Sequence, residues 1–326
     1  MGETFPRGRI VWHELMTTNP DAAVPFYRSV VGWDVMPWEQ DRSYRLWTMR
    51  GDPCAGLMEL PEEARLGGAP PNWMMYVAVP DIDQTMGQAT AMGGMVLHGP
   101  QQIEGAGRFV VLSDPQGAVF AVMRSPGEQG GHDGPPKPGE FSWHELATTD
   151  WRAGWRFYQA LFGWEKMEAM EMGPMGVYQM FGRKGQMLGG VYNKPPDMPA
   201  PPHWLCYAMV PNADTAAASV TRLGGKVLNG PMDVPGPSGD RIAQCMDPQG
   251  AAFAVHSTPR VAKARPPAKP KAEGPKAKPA AAPKAGKPAP KKPAPKKKAP
   301  GAKKRPVKKV APARKRPVKK AAVKKR

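Results

Sequence analysis

Only 3 of the 326 residues are cysteine, at positions 54, 206 and 245. That is too few for a disulfide framework, and it points to a reducing compartment in which these side chains serve as small apolar core residues. Long hydrophobic runs are missing as well. No stretch approaches the roughly 18 apolar residues a membrane helix needs, and Glu3 and Pro6 interrupt the first residues where a signal peptide would lie. The expected location is therefore cytoplasmic, with no membrane partner. A third shortage is local: after residue 259 there is no aromatic residue and a single acid, Glu273.

The excess that accompanies these shortages is basic charge. Of 46 Lys and Arg residues, 27 fall in residues 260–326, whereas 27 of the 28 acids precede them, so a body of net charge −8 carries a tail of net charge +26. Lys, Ala and Pro dominate the tail, which lacks the apolar surface to fold alone and is expected to be disordered over 259–326. Its densest clusters are Lys296, Lys297, Lys298, Lys303, Lys304, Arg305, Lys308, Lys309, Arg314, Lys315, Arg316, Lys319 and Lys320. Such a polycation is expected to neutralise the phosphates of DNA, RNA or polyphosphate without reading sequence, since it has no rings to stack on bases. That would make the protein nucleoid-associated. A solubilising segment with no fixed partner is the alternative.

The body is internally repeated. Trp12-His13-Glu14-Leu15 returns as Trp143-His144-Glu145-Leu146, and the same offset of 131 carries Phe26-Tyr27 onto Phe157-Tyr158, Gly32-Trp33 onto Gly163-Trp164, Trp73 onto Trp204 and Tyr76 onto Tyr207. Asp114-Pro115-Gln116-Gly117 meets Asp247-Pro248-Gln249-Gly250 at an offset of 133, which places a two-residue insertion near 235–239. Chance does not hold such a register, so the chain contains a duplicated domain. The boundaries read as 1–126 and 140–258, joined by a Gly/Pro-rich linker at 127–139.

Within each copy the pattern repeats again. Residues 10–17 alternate as a strand; Asn19-Pro20 caps a helix over 22–31 with one apolar face; Gly32 ends it. Strands are predicted at 33–38, 44–49 and 55–60. A second round follows, with a strand at 73–79, a helix at 81–92 and strands at 95–98, 108–112 and 119–123. Each half is thus a pair of βαβββ units, an α+β architecture with an open curved sheet or barrel.

This paired unit, with Phe-Tyr late in its first helix, Gly-Trp after it and Asp-Pro-x-Gly before its last strand, resembles the vicinal oxygen chelate superfamily of glyoxalases, extradiol dioxygenases and bleomycin-resistance proteins. The tail is similar to those of linker histones. The resemblance implies a divalent metal held by His, Glu or Gln from the first and last strands of each unit. Here those positions fall on Trp12 and Trp143, Met74 and Leu205, residues 56–58 and 189–191, and Ala121 and Ala254, so the metal site is expected to be lost. A replacement built from His256, Glu145 and His203 is the one substitute. No cofactor is predicted.

Strand parity divides the repeated tetrapeptide. Trp12, Glu14, Trp143 and Glu145 are expected to line a ligand cleft, while His13 and His144 face the covering helix or the other domain. A carboxylate beside an indole could accept a hydrogen bond from a ligand or act as an acid or base; a tie between strands is the structural alternative. Trp38 and Trp47, whose counterparts at offset 131 are not Trp, are further pocket candidates, whereas Trp33, Trp73 and Trp164 read as packing anchors. The functional expectation is a metal-independent protein binding a small organic ligand, tethered to a polyanion by its tail. An enzyme of glyoxalase, dioxygenase or hydroxylase type, and a nucleoid protein whose folded part serves assembly, remain the alternatives.

Overall fold

A computed structural model describes residues 5–127 and 130–259. The basic segment from residue 260 onward, with every expectation attached to it, lies outside the described residues. In the first half, β1 (Ile10–Thr17) leads into α1 (Pro20–Val30), whose cap Asn19 accepts a hydrogen bond from the Ala22 amide at 3.0 Å. Then come β2 (Asp34–Pro37), β3 (Arg45–Met49) and β4 (Asp52–Glu59), a short helix α2 (Glu62–Leu66), β5 (Asn72–Ala78), α3 (Ile82–Ala91), β6 (Met95–Ile103), β7 (Gly107–Ser113) and β8 (Val119–Arg124). The second half repeats this as β9 (Phe141–Thr148), α4 (Trp151–Phe162), β10 (Glu165–Glu171), β11 (Val177–Arg183), β12 (Gln186–Asn193), β13 (His203–Met209), α5 (Ala213–Arg222), β14 (Lys226–Asp233), β15 (Arg241–Met246) and β16 (Ala252–Ser257). Helix α2 was not anticipated; its five residues and its lack of buried side chains leave no apolar face to read.

Each half forms one eight-stranded mixed sheet, ordered β2-β3-β4-β1-β5-β8-β7-β6 and, in the second copy, β10-β11-β12-β9-β13-β16-β15-β14. Two βαβββ units therefore meet at an antiparallel seam between their first strands, β1 with β5 and β9 with β13. The two-residue insertion falls in the turn between β14 and β15. Among the described residues no helix is long and apolar enough to cross a membrane. The three cysteines are free.

Helices cover one face of each sheet, and the covered faces pack against each other. Helix α1 touches α5, and α3 touches α4. One core cluster joins Leu15, Tyr27, Trp33 and Trp73 of the first half to Val210, Ala217 and Phe253 of the second. The other joins Val77, Leu112 and Phe120 to Tyr158, Trp164 and Trp204. Burying an apolar layer between two sheets removes it from water at roughly 25 cal/mol per Å², which neither half achieves alone.

The polar groups of this interface cross in matched pairs. Tyr27 Oη donates to Asp247 Oδ2 at 3.1 Å and accepts from Trp73 Nε1 at 2.9 Å; Tyr158 Oη donates to Asp114 Oδ2 at 3.2 Å and accepts from Trp204 Nε1 at 3.0 Å. Likewise Trp33 Nε1 donates to the Gly139 carbonyl and Trp164 Nε1 to that of Gly8, both at 2.7 Å. The repeated Phe-Tyr, Gly-Trp and Asp-Pro-Gln-Gly motifs are thus the parts that lock the halves together. Asp133 of the linker accepts from Arg9 at 2.8 Å and also from Arg183, tying the linker to both sheets.

Candidate functional site

On the faces of the sheets away from the helices a second set of groups gathers, and β1 delivers Trp12 and Glu14 to the first of these faces. Glu14 is 7% exposed. Its Oε2 accepts from Tyr44 Oη at 2.7 Å and its Oε1 from Tyr76 Oη at 2.9 Å, while Tyr44 Oη accepts from Trp12 Nε1 at 3.0 Å. Tyr44 lies across β4 at Gly56, the partner of Glu14 in the neighbouring strand; a Cβ at Gly56 would stand 1.8 Å from Tyr44 Oη. The floor around this group is apolar, made of Met74, Phe109, Val111 and Ala121 with Met58 and Met123 at its edge.

The second sheet repeats the arrangement with more donors. Trp143 Nε1 donates to Tyr178 Oη at 2.8 Å, and Tyr178 and Tyr207 donate to Glu145 Oε2 at 3.0 and 3.1 Å. Gln244 Nε2 reaches Glu145 Oε1 at 3.1 Å, and the Tyr192 hydroxyl lies near the same carboxylate. Gly190 makes room for the ring of Tyr178 as Gly56 does for Tyr44. A carboxylate accepts about four hydrogen bonds. Glu145 is close to that limit, whereas Glu14 takes two from side chains.

Burial raises both carboxyls above the usual range, although the tyrosine hydroxyls pull the other way. Tyr76 and Tyr207 are pushed well above 10 by burial and by the adjacent carboxylate, so they stay protonated donors. A carboxyl held among apolar groups with a raised pKa can accept a ligand hydroxyl or carry a proton.

Trp12, Glu14, Trp143 and Glu145 stand on the faces away from the helices. Trp38 is half-buried with its ring 5.6 Å from that of Tyr44, at the edge of the first group. Trp47 is a correction: it has no exposure and packs in the core against Tyr27 and Trp33. The cause is a register change, for β3 and β4 match the second copy at an offset of 134 (Tyr44 with Tyr178, Gly56 with Gly190). The counterpart of Trp47 is therefore Phe181, another core ring. Sequence reasoning also missed Tyr44, Tyr178, Tyr192 and Gln244. Tyr76 and Tyr207 were visible as repeat landmarks, and the parity of β5 would have placed them with Met74. The substitute trio does not assemble: His256 Nδ1 pairs with Ser142 Oγ at 2.9 Å, His203 Nδ1 with the Pro201 carbonyl at 2.8 Å, and Glu145 with its tyrosines.

Residues 11–123 match the family model of the glyoxalase-like domain. Those residues form a glyoxalase-like domain, and the chain shares the fold of the vicinal oxygen chelate superfamily. Among its relatives is CFP32 of Mycobacterium tuberculosis, a candidate glyoxylase, 40% identical over 124 residues, which are 37% of this chain and 46% of that one. The chain thus spans just under half the length of that relative. The anthracycline biosynthesis protein DnrV of Streptomyces peucetius is 29% identical over 264 residues, covering 77% of this chain and 94% of DnrV. Solved structures of the same fold include the Mn(II)-bound glyoxalase of Novosphingobium aromaticivorans, at a TM-score of 0.54 and 15% identity over 78% of this chain and 82% of that one. Another is the 2,2',3-trihydroxybiphenyl 1,2-dioxygenase of Sphingomonas wittichii, at a TM-score of 0.55 and 14% identity over 78% and 91%.

For this fold the donor set on the faces away from the helices is unusual. Trp12, Met74 and Ala121 in the first sheet, and Trp143, Leu205 and Ala254 in the second, offer an ion no oxygen or imidazole ligand. The remaining carboxylates are engaged by tyrosines. These residues do not fit a hard divalent ion, which needs several convergent oxygen or nitrogen donors.

Proposed function

We propose that the protein binds a small organic ligand on the face of its first sheet away from the helices, with Glu14 as the acceptor for a ligand hydroxyl and no family metal taking part. The observation that carries this reading is the unequal filling of the two carboxylates: Glu145 accepts three side-chain hydrogen bonds, while Glu14 accepts two and keeps more acceptor capacity beside an apolar, methionine-lined floor. Methionine adapts to irregular ligand shapes. The likeness to DnrV over nearly its whole length makes anthracycline-type polyphenols the first probes. Titration followed by tryptophan fluorescence, reporting on Trp12, is expected to saturate at one site per chain. Glu14→Gln should weaken binding about 10- to 100-fold, the loss of one charge-assisted hydrogen bond, and Glu145→Gln should change it little. Equal affinity in both variants would sink the assignment.

An enzymatic reading is favoured by the raised Glu14 carboxyl beside Tyr76 and by the glyoxylase-like relatives. It predicts that Glu14→Gln abolishes turnover while the same ligand still binds.

Polyanion tethering by residues 260–326 is the second part of the proposal and rests on their composition. Fluorescence anisotropy with duplex DNA between 50 and 200 mM salt is expected to show log K falling with log salt at a slope of about −9 if ten phosphates are engaged. Deleting 260–326 should remove the binding, and survival of DNA binding after the deletion would overturn this part.

A further inference from the structure

The side of the tetrapeptide that turns away from Glu14 brings another set of groups together. His13 and His144, one from each half, meet between the sheets with their Nε2 atoms 2.7 Å apart. His144 Nδ1 donates to the Leu188 carbonyl at 3.1 Å. In the neutral ring that leaves a lone pair on Nε2, so His13 Nε2–H is the donor between the two rings. The strand register sets Cys206 directly beside His144, and in the first half sets Met75 directly beside His13. Among the described residues, His13, His144 and Cys206 place one ligand atom each within 4.8 Å of one another, all three buried. Met75 lies in the same core cluster as Cys206.

We propose that His13, His144 and Cys206 form a binding site for a single d10 metal ion, Cu+ or Zn2+, at the junction of the two halves. Two imidazoles and a thiolate suit ions of this softness, whereas an adjacent thioether is a ligand for Cu+ rather than Zn2+. Tetrahedral ligands at about 2.0–2.1 Å from nitrogen and 2.3 Å from sulfur leave donors a little over 3 Å apart. The rings must therefore separate by under an ångström and the thiol must close by about one. The proton on His13 Nε2 moves to Nδ1 by tautomerisation, and the Cys206 thiol releases its proton to solvent. The Leu188 carbonyl already fixes the His144 tautomer that a metal requires.

An entry path exists. A cavity of about 350 Å³ at the linker is lined by His13, His144, Arg9, Asp133, Glu140 and Arg183. It gives a route to the two rings, which lie on the face of the strand opposite to Glu14.

The test uses the full chain, stripped with chelator and titrated separately with Zn2+ and, under reductant, with Cu+ against a competing chelator. One equivalent of one ion is expected to bind, with a sulfur ligand seen by X-ray absorption. Cys206→Ala and His144→Gln should each lower affinity by about 100-fold or more, and Cys54→Ser should leave it unchanged. Near-UV circular dichroism checks that each variant is folded. If folded Cys206→Ala keeps the wild-type affinity, or if neither ion binds the wild type more tightly than the competitor does, the proposal is wrong.

Discussion

Asp247→Ala is expected to destabilise the protein by about 3–5 kcal/mol, the range for breaking a buried hydrogen-bond network. The carboxylate is 3% exposed and does two things at once. Its Oδ1 accepts the amides of Gln249, Gly250 and Ala251 at 2.8–2.9 Å, closing the Asp-Pro-Gln-Gly turn, and its Oδ2 accepts Tyr27 Oη from the other half. Alanine leaves four donors without that acceptor and frees the hydroxyl that also holds Trp73. Burial raises the Asp247 carboxyl, so ionising it has a cost that the hydrogen bonds only partly offset, and the net loss stays in single kilocalories. At about 2–4 °C per kcal/mol for a body of this size, the midpoint of thermal unfolding should fall by about 10 °C. Tyr27→Phe removes two bonds, the one to Asp247 and the one from Trp73, and should cost about 2 kcal/mol. If Asp247→Ala costs no more than Tyr27→Phe, the turn does not have the structural part assigned to it.

The second large effect is a loss of stability in mild acid. Burial lowers His144 to about 4, against the Leu188 carbonyl that raises it, and burial plus the neighbouring His144 lowers His13 well below 6.5. A lowered folded pKa means that the unfolded chain binds more protons between about pH 4 and 6.5, so stability falls as pH falls through that window. The contribution is complete above pH 6.5, and for His144 its span is about 3 kcal/mol. Glu14, Glu145, Asp114 and Asp247, all raised, act with the opposite sign, since they gain stability on protonation. Comparison with a variant isolates the histidine. Urea unfolding at pH 7, 6, 5 and 4.5 with chelator present should give a profile in His144→Gln that is flatter by about 3 kcal/mol than that of the wild type. Parallel profiles would refute the assignment.

The tetrapeptide shows where reading the sequence succeeds and where it stops. Alternation along a strand has a period of two, so Trp12 and Glu14 had to share one face and His13 and Leu15 the other. Duplication made the paired βαβββ units legible, because each landmark appears twice and aligns the elements between. A fixed offset nevertheless misled at Trp47. Three residues are gained before β11 and lost again after β12, a change invisible until the strand pairing of Gly56 and Gly190 is seen.

Composition, periodicity and internal repetition determined the α+β class, the tandem organisation and the faces of β1 and β9, since these depend on local spacing alone. Tertiary structure alone decided which groups from distant strands meet: Tyr44 and Tyr76 on Glu14, Tyr27 on Asp247, and His13 on His144. Those contacts join residues 30 to 220 positions apart. They arise because two sheets, each apolar on its helix-covered side, bury those sides against one another.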